Sequence, residues 1–187
     1  PLGGQGAGVS LPQALARGFV VATDPTAPPK GLEGAVVAIG NFDGAHRGHR
    51  GLIARARALA ARLGKPCAAL TFEPHPSDYF AKKSVIFRLT PADAKSLALA
   101  RLGLDGAIVL SFDAALAGLT AQEFVDDVLI RRLGVSGVVV GYDFQFGKAR
   151  AGTPDFLRAQ GAARGFAVEI VDKIVADAEG SLEAVSS

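Results

Sequence analysis

Residues 35–49 of the chain read A-V-V-A-I-G-N-F-D-G-A-H-R-G-H. The first five residues are apolar and include two valines and an isoleucine, which is typical of a parallel strand covered on both faces. A glycine-rich turn follows, and the residues after it have the spacing of an amphipathic helix. A strand that turns tightly into a helix predicts an α/β fold with a ligand site at the turn.

The same alternation continues to the end of the chain. Further apolar runs occur at 67–72, 107–110, 138–140 and 166–171, and amphipathic stretches separate them. Capping signals begin the predicted helices at Thr90-Pro91, Thr120 and Thr153-Pro154. Glycines end the predicted helices at Gly64, Gly103, Gly134 and Gly165. Because strand–helix–strand units form parallel sheets, we predict a Rossmann-like α/β sandwich of about five parallel strands with helices on both faces.

Composition excludes several classes of protein. The 187 residues are 49% hydrophobic and 20% charged, and the formal net charge is +2. This balance is typical of a globular domain rather than of a disordered chain. No apolar run reaches the roughly 20 residues of a membrane helix, and the charge excess is too small for the basic patch that nucleic-acid binding needs. We therefore expect neither a membrane nor a nucleic acid as a partner.

The single cysteine, Cys67, lies in an apolar run and excludes an intrachain disulfide. We predict a buried core residue rather than a reactive thiol, in a cytoplasmic protein without a signal peptide. The chain has no Met, even at position 1, and starts with a glycine-rich stretch, so we expect the chain to be incomplete. We expect an N-terminal tail and lead-in over 1–33 and one domain over 34–187.

The turn at 40–49 has the properties of a phosphate site. The N–H groups and dipole at a helix start attract anions, and glycines let a phosphate approach the backbone. His46 and His49 share a face of the first helical turn and can respond to charge that develops on a phosphate. The chain lacks both the Walker P-loop and the G-x-G-x-x-G pattern. A zinc site formed with Asp43, or a glycine-rich turn with surface histidines, stays open as an alternative.

Two more segments follow predicted strands. Residues 71–76 read T-F-E-P-H-P, and their two prolines predict an extended loop at the carboxyl edge of the sheet. Spacing alone leaves His75 either a ligand contact or part of a rigid turn. Aromatic and basic residues at 77–90 either face a ligand or belong to a mobile loop whose aromatics enter the core, and for any single residue we favour the second reading.

Residues 141–148 read G-Y-D-F-Q-F-G-K. Phe144 and Phe146 are two apart and should point the same way in an extended segment. Asp143 lies between apolar neighbours, so we expect it to need a partner, either a helix N–H or a ligand hydroxyl.

These segments resemble a known family. H-x-G-H at 46–49 after a first strand is similar to the signature of the nucleotidyltransferase superfamily, whose two histidines bind ATP or CTP phosphates and stabilise the transition state. The longer G-N-F-D-G-A-H-R-G-H resembles the bacterial FAD synthetases, the bifunctional riboflavin kinase/FMN adenylyltransferases. T-F-E-P-H-P, F-R-L-T at 87–90 and G-Y-D-F-Q-F-G resemble the same family, in the same order.

The resemblance implies a nucleotidyltransferase sandwich that converts ATP and FMN into FAD and pyrophosphate, with Mg²⁺ accompanying ATP. It implies that His46 and His49 are the catalytic residues. The implied ATP-binding residues are Gly40, Asn41, Phe42, Asp43, Gly48, Asp143, Phe146, Ser186 and Ser187. The implied flavin-binding residues are Phe72, Glu73, Pro74, His75 and Pro76.

The family carries a second phosphate motif, a Ser-Ser-Thr run followed by an Arg, of which this chain has only Ser186 and Ser187. We therefore expect a domain that is incomplete at its C terminus and lacks the kinase domain that phosphorylates riboflavin in the full-length protein. Two alternatives stay open. One is another small-molecule nucleotidyltransferase of the same superfamily, and the other is a nucleotide- or flavin-binding module without turnover.

Overall fold

The computed structural model describes residues 18–40, 42, 47–74, 76–80 and 92–172, with backbone alone at 47–49, 77–78 and 92–96. Its six strands are β1 (Val20–Thr23), β2 (Val36–Ile39), β3 (Cys67–Glu73), β4 (Gly106–Ser111), β5 (Gly137–Gly141) and β6 (Ala167–Val171). They form one sheet in the order β1-β4-β3-β2-β5-β6, and every neighbouring pair is parallel. No helix in the described ranges has the length and apolar character needed to cross a membrane.

The helices of the described residues cover both faces of the sheet. They are α1 (Arg47–Leu63), α2 (Pro76–Phe80), α3 (Ala92–Arg101), α4 (Ala114–Ala117), α5 (Ala121–Glu123, continued as a π-helix by Phe124–Arg132) and α6 (Pro154–Arg164). Leu59 of α1 and Leu99 of α3 belong to one core cluster, and Leu129 of α5 and Leu157 of α6 belong to the other. The predicted α/β sandwich is confirmed.

The centre of the sheet is β2, which is buried along its whole length. Val36 and Ala38 point into the cluster on the α1 side, whereas Val37 and Ile39 point into the cluster on the α5 side. Successive residues of a strand alternate between faces, so a strand with both faces covered must be apolar throughout. This requirement explains the unbroken apolar run at residues 35–39.

The sheet has one strand more than the predicted number of about five. The extra strand, β1, lies at the edge and pairs only with β4 among the described strands. Alternate residues of β1 are exposed, yet residues 19–22 read F-V-V-A, an apolar run of the kind that predicted the other strands and that the sequence analysis missed. Leu32, between β1 and β2, is nevertheless fully buried. Part of the predicted lead-in therefore belongs to the sheet, while the domain boundary at 34 stays a prediction.

The predicted helix ends agree with the structure wherever both are described. Thr120 and Glu123 form a capping box, with each side chain accepting a hydrogen bond from the other residue's backbone N–H. The Thr153 hydroxyl accepts from the N–H of Phe156 at 3.0 Å. Gly165 ends α6 with a left-handed φ of 89°, a conformation that glycine adopts without steric cost. The predicted Thr90-Pro91 start lies outside the described residues.

Cys67 is buried, as predicted, with 3% of its surface exposed. Burial disfavours the charged thiolate and, with a smaller contribution from the nearby Asp105 carboxylate, raises the pKa of the thiol from 9.0 to about 12. The folded chain therefore keeps a neutral thiol at physiological pH, which fits a core residue.

Replacing Thr153 by alanine should lower the free energy of unfolding by about 1 kcal/mol, because the N–H of Phe156 loses its acceptor. For a chain of this size, that corresponds to a fall of roughly 2–4 °C in Tm, measurable by calorimetry. Thr153→Ser keeps the hydroxyl and serves as the control. An alanine variant as stable as the serine variant would contradict the capping role.

At pH 8, iodoacetamide should alkylate Cys67 at least about a hundredfold more slowly in the folded chain than in urea, because burial both raises the pKa of the thiol and shields the sulfur from the reagent. Mass spectrometry of quenched time points gives both rates. As the pH rises above 9, the unfolded thiol ionises first, so this residue's contribution to stability should decline towards pH 12. Equal alkylation rates in the two states would show that the thiol is accessible.

Candidate active site

The strand order reverses at β2. The chain passes from β2 to β3 and β4 on one side, and then returns to place β5 and β6 on the other side. The segments that follow β2 and β5 therefore leave neighbouring strands in opposite directions and open a crevice at the carboxyl edge. These are the segments 40–49 and 142–147, which the sequence analysis selected for the nucleotide. The sequence therefore placed two of its three candidate segments at the switch point of the sheet.

The turn after β2 is held by the sheet and the core. The N–H of Gly40 donates to the carbonyl of Leu70 in β3 at 3.1 Å. The ring of Phe42 is buried, and a Cβ on Gly40 would lie 3.2 Å from it. Phe42 also has a left-handed φ of 51°, and strain of this kind concentrates at functional turns. Phe42 thus shapes the turn from the core, while a direct contact with ATP stays a prediction.

The predicted catalytic side chains lie outside the described part of the chain. Asn41, Asp43 and His46 are among the residues that the structure does not describe, and His49 is described by its backbone alone. Gly48 and His49 lie in the first turn of α1, as predicted. Among the described residues, no group of three or more His, Cys, Asp or Glu side chains could hold a metal ion. The zinc alternative depends on undescribed residues and stays open.

The segment after β5 begins with a turn, in which Phe144 N–H donates to the Gly141 carbonyl at 3.1 Å. Asp143 is exposed, so the expectation that it needs a partner is wrong, because water can solvate its carboxylate. That expectation rested on the apolar neighbours of Asp143 in the sequence, but apolar residues on both sides do not bury a residue at a turn. Its predicted role in ATP binding stays a prediction.

Phe144 and Phe146 do point the same way, with stacked rings whose centroids are 5.4 Å apart. Phe146 is buried and also contacts the ring of Phe124 at 5.3 Å. Its backbone exchanges two hydrogen bonds with Gly152, at 3.2 and 2.8 Å. A Cβ on Gly152 would lie 2.6 Å from the Phe146 ring, so only glycine fits there without a shift. The loop after β5 is therefore closed on itself and packed against α5.

The third segment follows β3, the strand on the other side of β2. Phe72 is half-buried, and the carbonyl of Glu73 accepts from the N–H of Phe112 at 2.9 Å. The Glu73–Pro74 peptide bond is cis, and α2 begins at Pro76. The predicted extended loop is therefore wrong at Pro76, because this residue takes the first position of a helix, where its missing N–H has no cost. His75 lies outside the described residues.

An aromatic patch lies at this edge, formed by Phe72, Tyr79, Phe80 and Phe112. Phe112 is at its centre, with ring centroids 6.0 Å from Phe72, 5.3 Å from Tyr79 and 5.7 Å from Phe80. Phe80 is 64% exposed, so the expectation that the aromatics of this segment enter the core is wrong for Phe80. The sequence analysis missed Phe112. An aromatic residue directly after β4, a strand next to β3, was the signal that could have found it.

The three predicted segments thus start at one edge of the sheet, because they leave the adjacent strands β3, β2 and β5; residues 41, 43–46 and 75 within them lie outside the described residues. Ser186 and Ser187, predicted to bind ATP, lie outside the described residues.

Residues 29–186 match the family model of FAD synthetase. The bifunctional riboflavin kinase/FMN adenylyltransferase of Pseudomonas fluorescens is 42% identical over 144 residues, covering 77% of this chain and 46% of the relative. The protein of the same name from Escherichia coli K12 is 41% identical, covering 74% of this chain and 44% of the relative. The protein of the same name from Bacillus subtilis is 36% identical, covering 64% of this chain and 38% of the relative. The chain thus spans about half the length of the curated relatives it matches.

A crystal structure described as a macrolide-efflux protein from Streptococcus pneumoniae has a similar fold. The TM-score is 0.68 at 25% identity, and the likeness covers 82% of this chain and 50% of that one. The likeness supports the parallel α/β architecture. The family match covers most of the chain, including the three segments that follow β2, β3 and β5, and the chain belongs to the FAD synthetase family.

Proposed function

We propose that this chain transfers AMP from ATP to FMN, giving FAD and pyrophosphate. The observation that supports the proposal is the adjacency of β3, β2 and β5 in the sheet, because the carboxyl ends of these parallel strands carry the segments 71–76, 40–49 and 141–147. The names of the relatives state FMN adenylyltransferase activity. We assign no residue of this chain to the riboflavin kinase activity that those names also state. A cytoplasmic location, as the sequence predicts, belongs to the same proposal.

The ATP phosphates would lie against the start of α1, in the crevice between β2 and β5. This helix is 17 residues long, and its first turn, Arg47–Arg50, contains no acidic residue. Aligned peptide dipoles and free N–H groups at such a start favour an anion, and no carboxylate in that turn opposes it. Gly40 and Gly48 would leave room for the phosphate chain.

The adenosine part of ATP would lie on the segment after β5. The half-buried Phe144 ring, stacked on the buried Phe146, gives this segment a rigid apolar surface, which suits a purine ring. Asp143 is exposed at the turn beside it and would accept a hydrogen bond from a ribose hydroxyl. Lys148 and Arg150 are exposed on the same loop and would add positive charge near the nucleotide.

FMN would lie on the aromatic patch next to β3. Phe80 exposes most of its ring, and its neighbours Tyr79 and Phe112 hold it edge-on. A planar flavin ring is a good partner for such a surface. Phe72, Glu73, Pro74, His75 and Pro76 are the residues we propose to contact the flavin.

A phosphate oxygen of FMN would attack the α-phosphorus of ATP in line, forming the new P–O bond as the bond to the bridging oxygen of pyrophosphate breaks. The nucleophile is already ionised, so the protein supplies positioning and charge stabilisation rather than a nucleophile. His46 and His49 would stabilise the charge that develops on the phosphates. Mg²⁺ bound to ATP would neutralise phosphate charge, and the described residues hold no acidic cluster that would compete for it.

Replacing His49 by alanine should lower kcat for FAD formation by about a hundredfold or more, because the transition state loses a donor to phosphate oxygen. Chromatographic separation of FAD from FMN gives the rate, and Tm should stay within about 2 °C of the wild type, since a change in the first helical turn costs little stability. His75→Ala is the matched control, and it should mainly raise KM for FMN. Wild-type kcat in H49A would refute the proposed mechanism.

Replacing Phe80 by alanine should raise KM for FMN about fivefold to tenfold, because the flavin loses an aromatic partner. KM for ATP should change less than about twofold, since the nucleotide segments leave different strands. Leu63→Ala is the matched control, because Leu63 is an exposed apolar residue at the far end of α1.

A scan of phosphorylated acceptors with labelled ATP tests the identity of the acceptor. Equal transfer to acceptors without a planar ring would favour another nucleotidyltransferase of the superfamily.

A further inference from the structure

Asp24 directly follows the edge strand β1, and its side chain reaches Ser111 at the end of β4. Its carboxylate accepts two hydrogen bonds from Ser111, from the backbone N–H at 2.7 Å and from the hydroxyl at 2.5 Å. The backbone N–H of Asp24 donates to the carbonyl of Val109 at 2.8 Å. Its φ is 48°, a left-handed conformation that Asp tolerates better than most residues. Three hydrogen bonds therefore join Asp24 to the carboxyl end of β4.

Arg132, at the end of α5, reaches the same place. Its Nε donates to the carbonyl of Pro25 at 2.8 Å, and its Nη2 lies 4.0 Å from Oδ1 of Asp24. Only 17% of the Arg132 side chain is exposed, so the cation is held close to the carboxylate. Helix α5 also carries Phe124, whose ring lies 6.5 Å from that of Phe72 in the aromatic patch. Asp24 is thus bonded to Ser111 at the end of β4 and lies beside Arg132 of α5.

The contact lies one residue before the centre of the aromatic patch. Ser111 pairs with Glu73 in the register of β3 and β4, and the N–H of Phe112 donates to the Glu73 carbonyl. Ser111 is therefore held by Asp24 while Phe112 is held by β3. With its backbone fixed at these two points, Phe112 directs its ring against Tyr79 and Phe80.

We infer that Asp24 is a positioning residue for the flavin: through Ser111 and Phe112 it sets the position of the aromatic patch. The inference rests on the proposed FMN-dependent function. The nucleotide segments leave β2 and β5, which β3 separates from β4. Loss of the Asp24 carboxylate should therefore weaken FMN binding while leaving ATP binding unchanged.

Asp24→Gly is the variant that tests the inference, because glycine removes the carboxylate and adopts the left-handed backbone at no steric cost. We expect the Kd for FMN, measured by quenching of flavin fluorescence, to rise roughly fivefold to tenfold, because the aromatic patch is no longer held in the position that binds the flavin. The Kd for ATP, measured by calorimetry, should change less than about twofold, since distant sites behave independently.

Two further variants separate positioning from general damage. Asp24→Asn keeps an acceptor for the Ser111 N–H and tolerates the same backbone, so it should restore FMN binding to within about threefold of the wild type. Asp127→Ala removes a carboxylate that pairs with Arg131 on the exposed side of α5 and should leave FMN binding unchanged. Ser111→Ala should reproduce part of the Asp24→Gly effect, and the double variant should show non-additive losses.

Unchanged FMN binding in Asp24→Gly would overturn the inference. Parallel losses of FMN and ATP binding, with a lowered Tm, would also overturn it, because they would show a general structural role. A wild-type chain that binds ATP but no FMN would refute the proposed acceptor, and the inference with it. If the wild-type chain binds FMN and forms FAD, and Asp24→Gly binds FMN equally well, the inference is refuted while the proposed function stands.

Discussion

Burial of β2 on both faces is the constraint on which the rest of the structure depends. Val36–Ile39 has no solvent-facing side, so every side chain in it must be apolar. Such a strand has no polar or charged side chains along its length, and these become possible only where the strand ends. The proposed site is therefore confined to the carboxyl edge of the sheet, where each parallel strand ends and a loop and a helix follow.

The loops at this edge are placed by the sheet's own hydrogen bonding. The first residue after each of four strands donates its N–H to a carbonyl of the neighbouring strand, so the parallel ladder continues one residue into the loop. These residues are Asp24, Gly40, Phe112 and Tyr142. Because a backbone hydrogen bond fixes the start of each loop, the side chains that follow are positioned by the core rather than by the loop alone.

The two sides of the proposed site differ in how they are built. The nucleotide side uses a helix start, glycines and a closed loop, in which Gly152 lets the Phe146 ring lie flat against the backbone. The flavin side uses rings packed edge to edge, centred on Phe112 and supported from the strand edge by Asp24. Peptide dipoles suit the charged phosphates, whereas an aromatic surface suits a planar ring. The two sides can therefore respond to mutation separately.

The sequence by itself determined the fold class, most strands and the helix ends, because apolar periodicity, caps such as Thr153 and stops such as Gly165 act over a few neighbouring residues. It also selected three segments that leave the adjacent strands β3, β2 and β5. Only the tertiary structure decided that Val20–Thr23 pairs with β4 at the edge of the sheet, that Asp143 is exposed and that Phe112 centres the aromatic patch. The Asp24–Ser111 contact joins residues 87 positions apart. Strand order and packing create such contacts, and neither is encoded in local propensity.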